Sequence, residues 1–370
     1  MAQELSALEL HFISLELQRV VTGKLEKVYQ WGKDEFVFRF YTKDGKKHLR
    51  VLVPGLVHFT SKHYKGPKVP PGFCSFLRKY TTNAIVRAAY QHGFERVLVF
   101  ELESRVHGEL FLVIEVLKPG NIVLCRKEEG KLITMNPLKN EKFKDREVWP
   151  KKEYSYPKGQ PDIKAMDKDS LKRMLLGSER TTVKCLATEL GFGGVFAEEI
   201  IKRSNAEKNA SPKDLPVEIL ESLIVNIKNV FMEEPSPFLS NSRVYPVSML
   251  SVDEKERFFS SFSEGLDEVF FEEKVVKETK AVSKDKDKAS VIISAQEKNL
   301  RKFEKTVSES QAAGEAIYEN YQFLSSIMSE VSRMRDEKKP WKEIKEFLKG
   351  KPGFVSLDEK NKEIVFEIKK

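Results

Sequence analysis

The chain has 370 residues, 32% charged and 10% aromatic; that length exceeds one ordinary core and predicts two or three domains, and that composition excludes a globally disordered chain. Three cysteines, Cys74, Cys125 and Cys185, lie far apart with no CxxC, which excludes a disulfide framework or a zinc ribbon and predicts a reduced, cytosolic protein. The net charge of +8 is uneven: residues 1–160 hold 28 Lys+Arg against 18 Asp+Glu, a net of +10, which leaves 36 against 38, a net of −2, for the rest.

A basic N-terminal part points to a polyanion, with nucleic acid first among the candidates. A solvated basic surface that aids solubility is the competing reading of the same charge. The start MAQELSALEL has no basic leader followed by an apolar run, so no signal peptide is expected. No segment approaches 18 uninterrupted apolar residues, so no membrane span is expected either.

In chain order, LSALELHFISLELQRVV has the spacing of an amphipathic helix ending near Gly23. Alternating runs follow: KLEKVYQWG, EFVFRFYT and, after the turn KDGKK, HLRVLVPG. Phe36, Phe38 and Phe40 share one strand face, and Val37, Arg39 and Tyr41 share the other. The densest basic runs, KDGKKHLR (43–50) and KHYKGPK (62–68), read as strand-edge loops. PPGF opens a helix expected over 73–91, with Arg78 and Lys79 near its start. The strand RVLVFELES and the pair ELFLVIEVL and GNIVLCR, split by KPGN, complete an antiparallel meander and an α+β domain over 1–165. Glu95-Arg96 falls between the Gly93 turn and the strand. A solvated ion pair would suit that place, and so would a grip on a phosphate.

Residues 166–235 read as a small helical unit. DKDSLKRML offers Asp169 or Ser170 as a cap, and PVEILESLIVNIKNVFM supplies a third helix. Between them, LATELGFGGVFAEEI is helix, glycine turn, helix. That is a helix-hairpin-helix pattern, in which the turn at Gly191, Gly193 and Gly194 can meet a phosphate at the second helix's start, or simply reverse the chain. Residues 236–273 return toward the first domain. From 274 to 290 the chain is Lys-rich and polar, a linker or the start of a long helix. Then Ile293, Leu300, Val307, Gly314, Tyr321 and Met328 recur every seven residues, with Phe303, Ile317, Leu324 and Val331 among the second seam positions. These heptads predict a coiled-coil arm over 274–339, ~70 Å long at the usual helical rise. Its seam calls for a second helix of the same protein, or for a partner, self-association included. Residues 340–370 read as a tip, a short helix and a β-hairpin, with Trp341 packed into it.

The chemistry of catalysis is missing from the sequence. All six His lie in residues 11–107, none in an HxxxH or beside a Cys at ligand spacing, so no metal is expected. There is no GxxxxGK[ST], no GxSxG, and no GxGxxG in the required context. No cofactor and no catalytic residue is expected.

Several segments together resemble the NFACT family, which includes eukaryotic NEMF, bacterial RqcH and proteins once called fibronectin-binding protein A; this copy looks archaeal-like. They are SALEL…LEL, PPGFCSFLRKY, QHGFERVLVFEL, EVLKPGNIVL, LATELGFGGVFAEEI, FSSFSEGLDEVF, GEAIYENYQFL and PWKEI, spread in order over the chain. The resemblance implies a DNA-glycosylase-like N-terminal fold, a helix-hairpin-helix unit and a long antiparallel coiled-coil arm. It implies a ribosome-associated quality-control factor in the cytoplasm, working on the large ribosomal subunit. Such a factor meets a stranded peptidyl-tRNA and brings aminoacyl-tRNA for a C-terminal tail, while the ribosome makes the bond, so no enzyme is expected. A glycosylase is not expected, since the chain starts Met1-Ala2 without that family's proline nucleophile. The tRNA-binding candidates are then Glu9, Arg78, Lys79, Glu95, Arg96 and Asn121. Glu9 is supported only by its position in the family pattern and is otherwise read as an exposed helix carboxylate; Asn121 is otherwise a turn residue. The family usually has Asp where this chain has Glu9, and Asp-Arg where it has Glu95-Arg96, which leaves tailing activity less firmly implied than RNA binding. A surface adhesin and a nucleic-acid-binding module without tailing activity are the alternatives.

Overall fold

In the computed structural model the described residues are 3–62, 69–159, 161–359 and 361–367, with side chains described outside 271–295 and apart from Ala313 and Ile317. Most of the KHYKGPK run and the seam residues Ile293 and Ile317 thus lie outside the described side chains. The chain forms two compact units, Met1–Val276 and Lys277–Lys370.

Helix α1, Ala7–Glu16, opens the first unit and continues as a 3-10 turn over Leu17–Val20. Strands β1 (Lys24–Trp31), β2 (Glu35–Thr42), β3 (Gly45–Leu52) and β4 (Leu56–Thr60) follow, then helix α2 (Gly72–Thr81). Five more strands complete the sheet: β5 (Ala84–Gln91), β6 (Val97–Ser104), β7 (Gly108–Glu115), β8 (Asn121–Glu128) and β9 (Lys131–Pro137). All nine form one antiparallel sheet in the order β4-β3-β2-β1-β5-β6-β7-β8-β9. The ladder between its two halves is short, pairing Lys24↔Ile85 and Leu25↔Ala84. Phe40 on β2 nevertheless stacks on Phe100 of β6 at 5.9 Å. Strands three places apart in a flat sheet lie ~14 Å apart, so the sheet folds at β1/β5 and closes one core between its halves. Phe36, Phe38 and Phe40 are buried there with Leu98, Phe100 and Leu102.

The helix expected over 73–91 ends at Thr81, and 84–91 is a strand. Thr82 is extended, and Asn83 takes φ +62°, a left-handed conformation that Asn tolerates and that stops a helix. Arg78 and Lys79 therefore occupy the last turn of α2 and not its start, where their charges suit the carbonyl end of the helix.

The outer face of β6–β8 buries Val97, Val99, Val113, Val123 and Cys125 under the 143–156 segment. That segment, with short strands β10 (Glu141–Lys142) and β11 (Glu147–Val148), is pinned by a buried network. Arg146 grips Glu115 with two bonds of 2.7 and 2.8 Å, and the Tyr154 hydroxyl donates to the same carboxylate at 2.7 Å.

Helices α3 (Lys168–Gly177), α4 (Thr182–Lys184), α5 (Gly193–Ser204) and α6 (Val217–Asn229) form the helical packet. The cap of α3 is Asp167, whose carboxylate accepts from Ser170 N, in place of the expected Asp169 or Ser170. Phe94, Phe192 and Phe231 meet at 5.1–5.8 Å where the packet joins the sheet. Short strands β12 (Phe238–Ser240), β13 (Arg243–Tyr245) and β14 (Arg257–Phe258) then lead into helix α7, Phe262–Glu319. At its root, Ser263 and Asp267 accept from the Phe59 and Ser61 amides of the β4 edge.

In the second unit α7 ends at Glu319, and α8 (Tyr321–Asp336) restarts after Asn320. The heptad positions Leu300, Phe303 and Val307 stay exposed. Helix α9 (Trp341–Lys349) and the hairpin of β15 (Phe354–Asp358) and β16 (Glu363–Phe366) close a small core with Ile327, Val331 and Met334. The Trp341 ring lies under the Arg335 guanidinium at 4.3 Å.

Candidate anion cleft at the start of α1

Helix α1 starts with a capping box: Ser6 Oγ accepts from Glu9 N at 3.2 Å, and Glu9 Oε2 accepts from Ser6 N at 2.7 Å. The second Glu9 oxygen accepts from Gln3 Nε2 and from Arg243 Nη2, each at 2.7 Å. Glu9 is 0% exposed, so it is not the surface carboxylate expected by default. It ties the helix start to β13, where Gln3 also pairs with both backbone groups of Val244. A second neighbour fixes the strand entrance: Val116 N donates to the Arg96 carbonyl at 2.8 Å.

These elements border a cleft of about 450 Å³, lined by Ser6 and Ala7 of the α1 start, Glu95 and Arg96, and Gly191 and Gly193 of the packet. The sequence-expected pair and the glycine turn, almost 100 residues apart in the chain, thus share one cavity. A Cβ built on Gly193 would lie 3.9 Å from Ser6 Cβ, so the two helix starts nearly touch. Gly191 and Gly193 take φ +77° and +76°, where a side chain is strained. Helix α5 has no side-chain cap, so its first amides remain available to an acceptor. Gly194 follows within α5 and does not line the cleft. Among the described residues the Arg96 guanidinium makes no hydrogen bond or ion pair, and none joins it to Glu95. A half-buried arginine between two helix starts is a field suited to an anion, above all to a planar or phosphate oxygen pair.

The other expected residues lie elsewhere. Arg78 Nε donates to the Val28 carbonyl at 2.7 Å, where β1 has left β5, and its guanidinium sits 5.6 Å from the Tyr29 ring. Lys27 and Arg39 approach the same ring at 5.5 and 5.6 Å, a second basic-aromatic patch that the sequence reading did not single out. Lys79 is exposed beside Tyr80. Asn121 is 2% exposed, and its amide is taken up by backbone: it donates to Lys139 O and accepts from Ile122 N and Lys139 N. Its side chain holds the start of β8 to the 138–139 bend. Ser6 and Gln3 were missed, and only the S-x-x-E capping-box spacing marked Ser6 in the sequence. No group of His, Cys, Asp and Glu suited to a metal occurs among the described residues, and no helix there is long and apolar enough to cross a membrane.

Fold and cleft define an α+β protein with a folded antiparallel sheet, a helical packet docked on it and an open arginine between them. The chain belongs to the NFACT family: the domain pair described as NFACT N-terminal and middle domains matches residues 6–364. It is 27% identical to the archaeal Rqc2 homolog aRqcH of Methanocaldococcus jannaschii, over 94% of this chain and 55% of that protein. It is 25% identical to the Rqc2 homolog RqcH of Bacillus subtilis, over 87% of this chain and 60% of that one. The chain therefore spans little more than half the length of these relatives. The N-terminal structure of the fibronectin/fibrinogen-binding protein from Streptococcus suis shares the fold, with TM-score 0.61 and 22% identity over 72% of this chain and 99% of that one.

Proposed function

We propose that this chain carries the RNA-binding part of a ribosome quality-control factor. In this reading it binds the large ribosomal subunit that holds a stalled peptidyl-tRNA and recruits tRNA for C-terminal tailing; the Rqc2-homolog names of its relatives support a quality-control role in general. The observation that carries it is Arg96, whose guanidinium has no hydrogen bond or ion pair among the described residues, in a cleft that also receives the Gly191–Gly193 turn. The excess of 28 Lys+Arg over 18 Asp+Glu in residues 1–160 supports a polyanionic ligand. We read α4–α5 as a helix-hairpin-helix and α7 as one strand of a coiled-coil arm whose exposed seam takes a further helix. The factor works in the cytoplasm, needs no cofactor and makes no bond itself, the ribosome supplying that chemistry.

Purified large subunits and labelled tRNA test the proposal in one gradient. The protein is expected to co-migrate with free large subunits and to raise the tRNA recovered there. Migration at the top of the gradient, with tRNA recovery unchanged, contradicts it.

A further inference from the structure

Arg78 lies outside the cleft, but its guanidinium is held in one orientation. The β1–β5 ladder ends at Leu25↔Ala84, and further along β1 the Val28 carbonyl accepts from side chains instead. Arg78 Nε donates to it at 2.7 Å and the Cys74 thiol at 3.4 Å. A single bond through Nε fixes the guanidinium plane and leaves the fork of its two Nη groups for another acceptor. Among the described residues, no carboxylate pairs with Arg78 and Val28 is its one carbonyl partner.

The Tyr29 ring gathers charge around this fork. Lys27 Nζ lies 5.5 Å from the ring centroid, and the Arg39 and Arg78 guanidiniums each lie 5.6 Å from it. Arg39 is balanced by Glu26, through Nη2 at 3.0 Å and Nε at 2.9 Å, and its Nη1 donates to the Tyr29 hydroxyl at 2.9 Å. Lys27 has no hydrogen bond or ion pair among the described residues, and the Tyr29 hydroxyl donates to none of them. The Cys74 thiol feels both remaining cations: burial raises its pKa, and the charges of Arg78 and Lys27 oppose that rise. Lys27 is exposed, and Tyr29 and Arg78 are half-buried, so all three are open to a ligand. Two uncompensated cations beside one ring repel each other, and a bound anion relieves that repulsion.

Resting on the reading that this chain binds tRNA, and not on the cleft, we propose that Lys27, Tyr29 and Arg78 form a second anion site, which takes a backbone phosphate of tRNA. The Arg78 fork meets the two non-bridging oxygens, and Lys27 Nζ and the Tyr29 hydroxyl supply further donors. The excess of 28 Lys+Arg over 18 Asp+Glu in the surrounding residues 1–160 favours a polyanion over a single small anion.

Filter binding of labelled tRNA at several salt concentrations tests the site, with melting temperatures alongside. The proteins compared are the wild type, Lys27→Gln, Arg78→Gln, Lys79→Gln and Arg96→Ala. Each lost phosphate contact removes about 0.7–0.9 from the log–log salt slope, which the loss of a merely structural contact does not do. Lys27→Gln is expected to flatten the slope by that amount and to weaken binding about four- to fivefold at ~0.15 M salt, with an unchanged melting temperature. Arg78→Gln should flatten it as much, and should lose some melting temperature with the Val28 bond. Lys79, the neighbouring residue, sits beside Tyr80 instead, so Lys79→Gln removes the same charge and should keep the wild-type slope. If either Lys27→Gln or Arg78→Gln keeps that slope, or if Lys79→Gln flattens it equally, the second site is overturned. Salt-dependent wild-type binding that Arg96→Ala weakens would then leave the tRNA reading standing. If wild-type binding does not depend on salt, the reading and the site both fall.

Discussion

Glu9 accepts hydrogen bonds from three groups, Ser6 N, Gln3 Nε2 and Arg243 Nη2, and reaches no solvent. Glu9→Ala leaves Ser6 N and Arg243 Nη2 without that acceptor, leaves Gln3 Nε2 with the Val244 carbonyl alone, and takes the carboxylate from the Arg243 charge. Urea unfolding is expected to show a loss of about 2–4 kcal/mol; a loss below about 1 kcal/mol would class Glu9 with exposed ion pairs. No local pattern announces this burial, because the cationic partner lies 234 residues away. His11 packs its ring against Phe12 and Phe231, and its Nε2 lies 3.1 Å from the Phe231 carbonyl. Burial, helped by the charge of Lys164 and opposed by that carbonyl, lowers its pKa from 6.5 to about 4. Burial likewise pulls His58 down to about 4, with Arg50 adding to it and Asp267 and Glu35 opposing. Both folded pKa values are depressed, so between pH 6.5 and about 4 the unfolded chain takes up protons that the folded chain refuses. Stability is then full above that window and falls as pH drops through it, by at most about 1.4 kcal/mol per pH unit for each histidine. Melting temperatures from pH 7 to 4.5 should fall, and His11→Gln, which keeps a donor for Phe231 O, should flatten part of the slope. An equal slope in the variant removes His11 from the account.

At the scale of elements, Gly193 and Gly194 separate the two uses of glycine in the GFGG turn. Gly193 sits at φ +76°, whereas Gly194 lies inside α5 with nothing within 4 Å of an added Cβ. Gly193→Ala is expected to cost about 1 kcal/mol or more, and Gly194→Ala to gain about 0.5–1 kcal/mol. Urea midpoints measure both, and equal shifts for the two would contradict the assigned turn. Much of the element plan was legible because strand alternation is a strong signal. The Phe36/Phe38/Phe40 face and the split of Val97 and Val99 from Leu98, Phe100 and Leu102 both follow from a period of two. The strand at 84–91 was not legible, because Ala84, Ala88 and Ala89 favour a helix and an apolar run alone does not tell helix from strand. The missed cue was TTN at 81–83, two β-branched residues and an asparagine that turns left-handed. The cleft itself was half legible. Glu95-Arg96 and GFGG were each visible, but only the docking of the packet on α1 brings them together.

Over the whole molecule, the basic stretch of residues 1–160 and the cleft lie within the unit Met1–Val276, and the heptads from Ile293 onward and the hairpin lie within Lys277–Lys370. This division predicts separable roles. A fragment ending at Val276 should keep tRNA binding, with a log–log salt slope of about −0.9 per duplex phosphate contact and less on single strands, and should lose co-migration with large subunits. Filter binding at several salt concentrations and a gradient check the two halves; loss of tRNA binding in the fragment, or salt-independent affinity, contradicts the division. The central claim, that the cleft beside α1 takes RNA through Arg96, is tested most directly by one comparison. Labelled tRNA is recovered on purified large subunits at fixed salt with the wild type, Arg96→Ala and Arg96→Lys. Among the described residues the Arg96 side chain makes no hydrogen bond or ion pair to lose, so melting temperatures should be unchanged, while Arg96→Ala lowers recovery at least about tenfold, the cost of one bidentate charged contact. Arg96→Lys should not restore it, because a point charge does not replace a planar fork. Equal recovery by all three proteins would contradict the account and leave Glu95-Arg96 an ordinary solvated strand entrance.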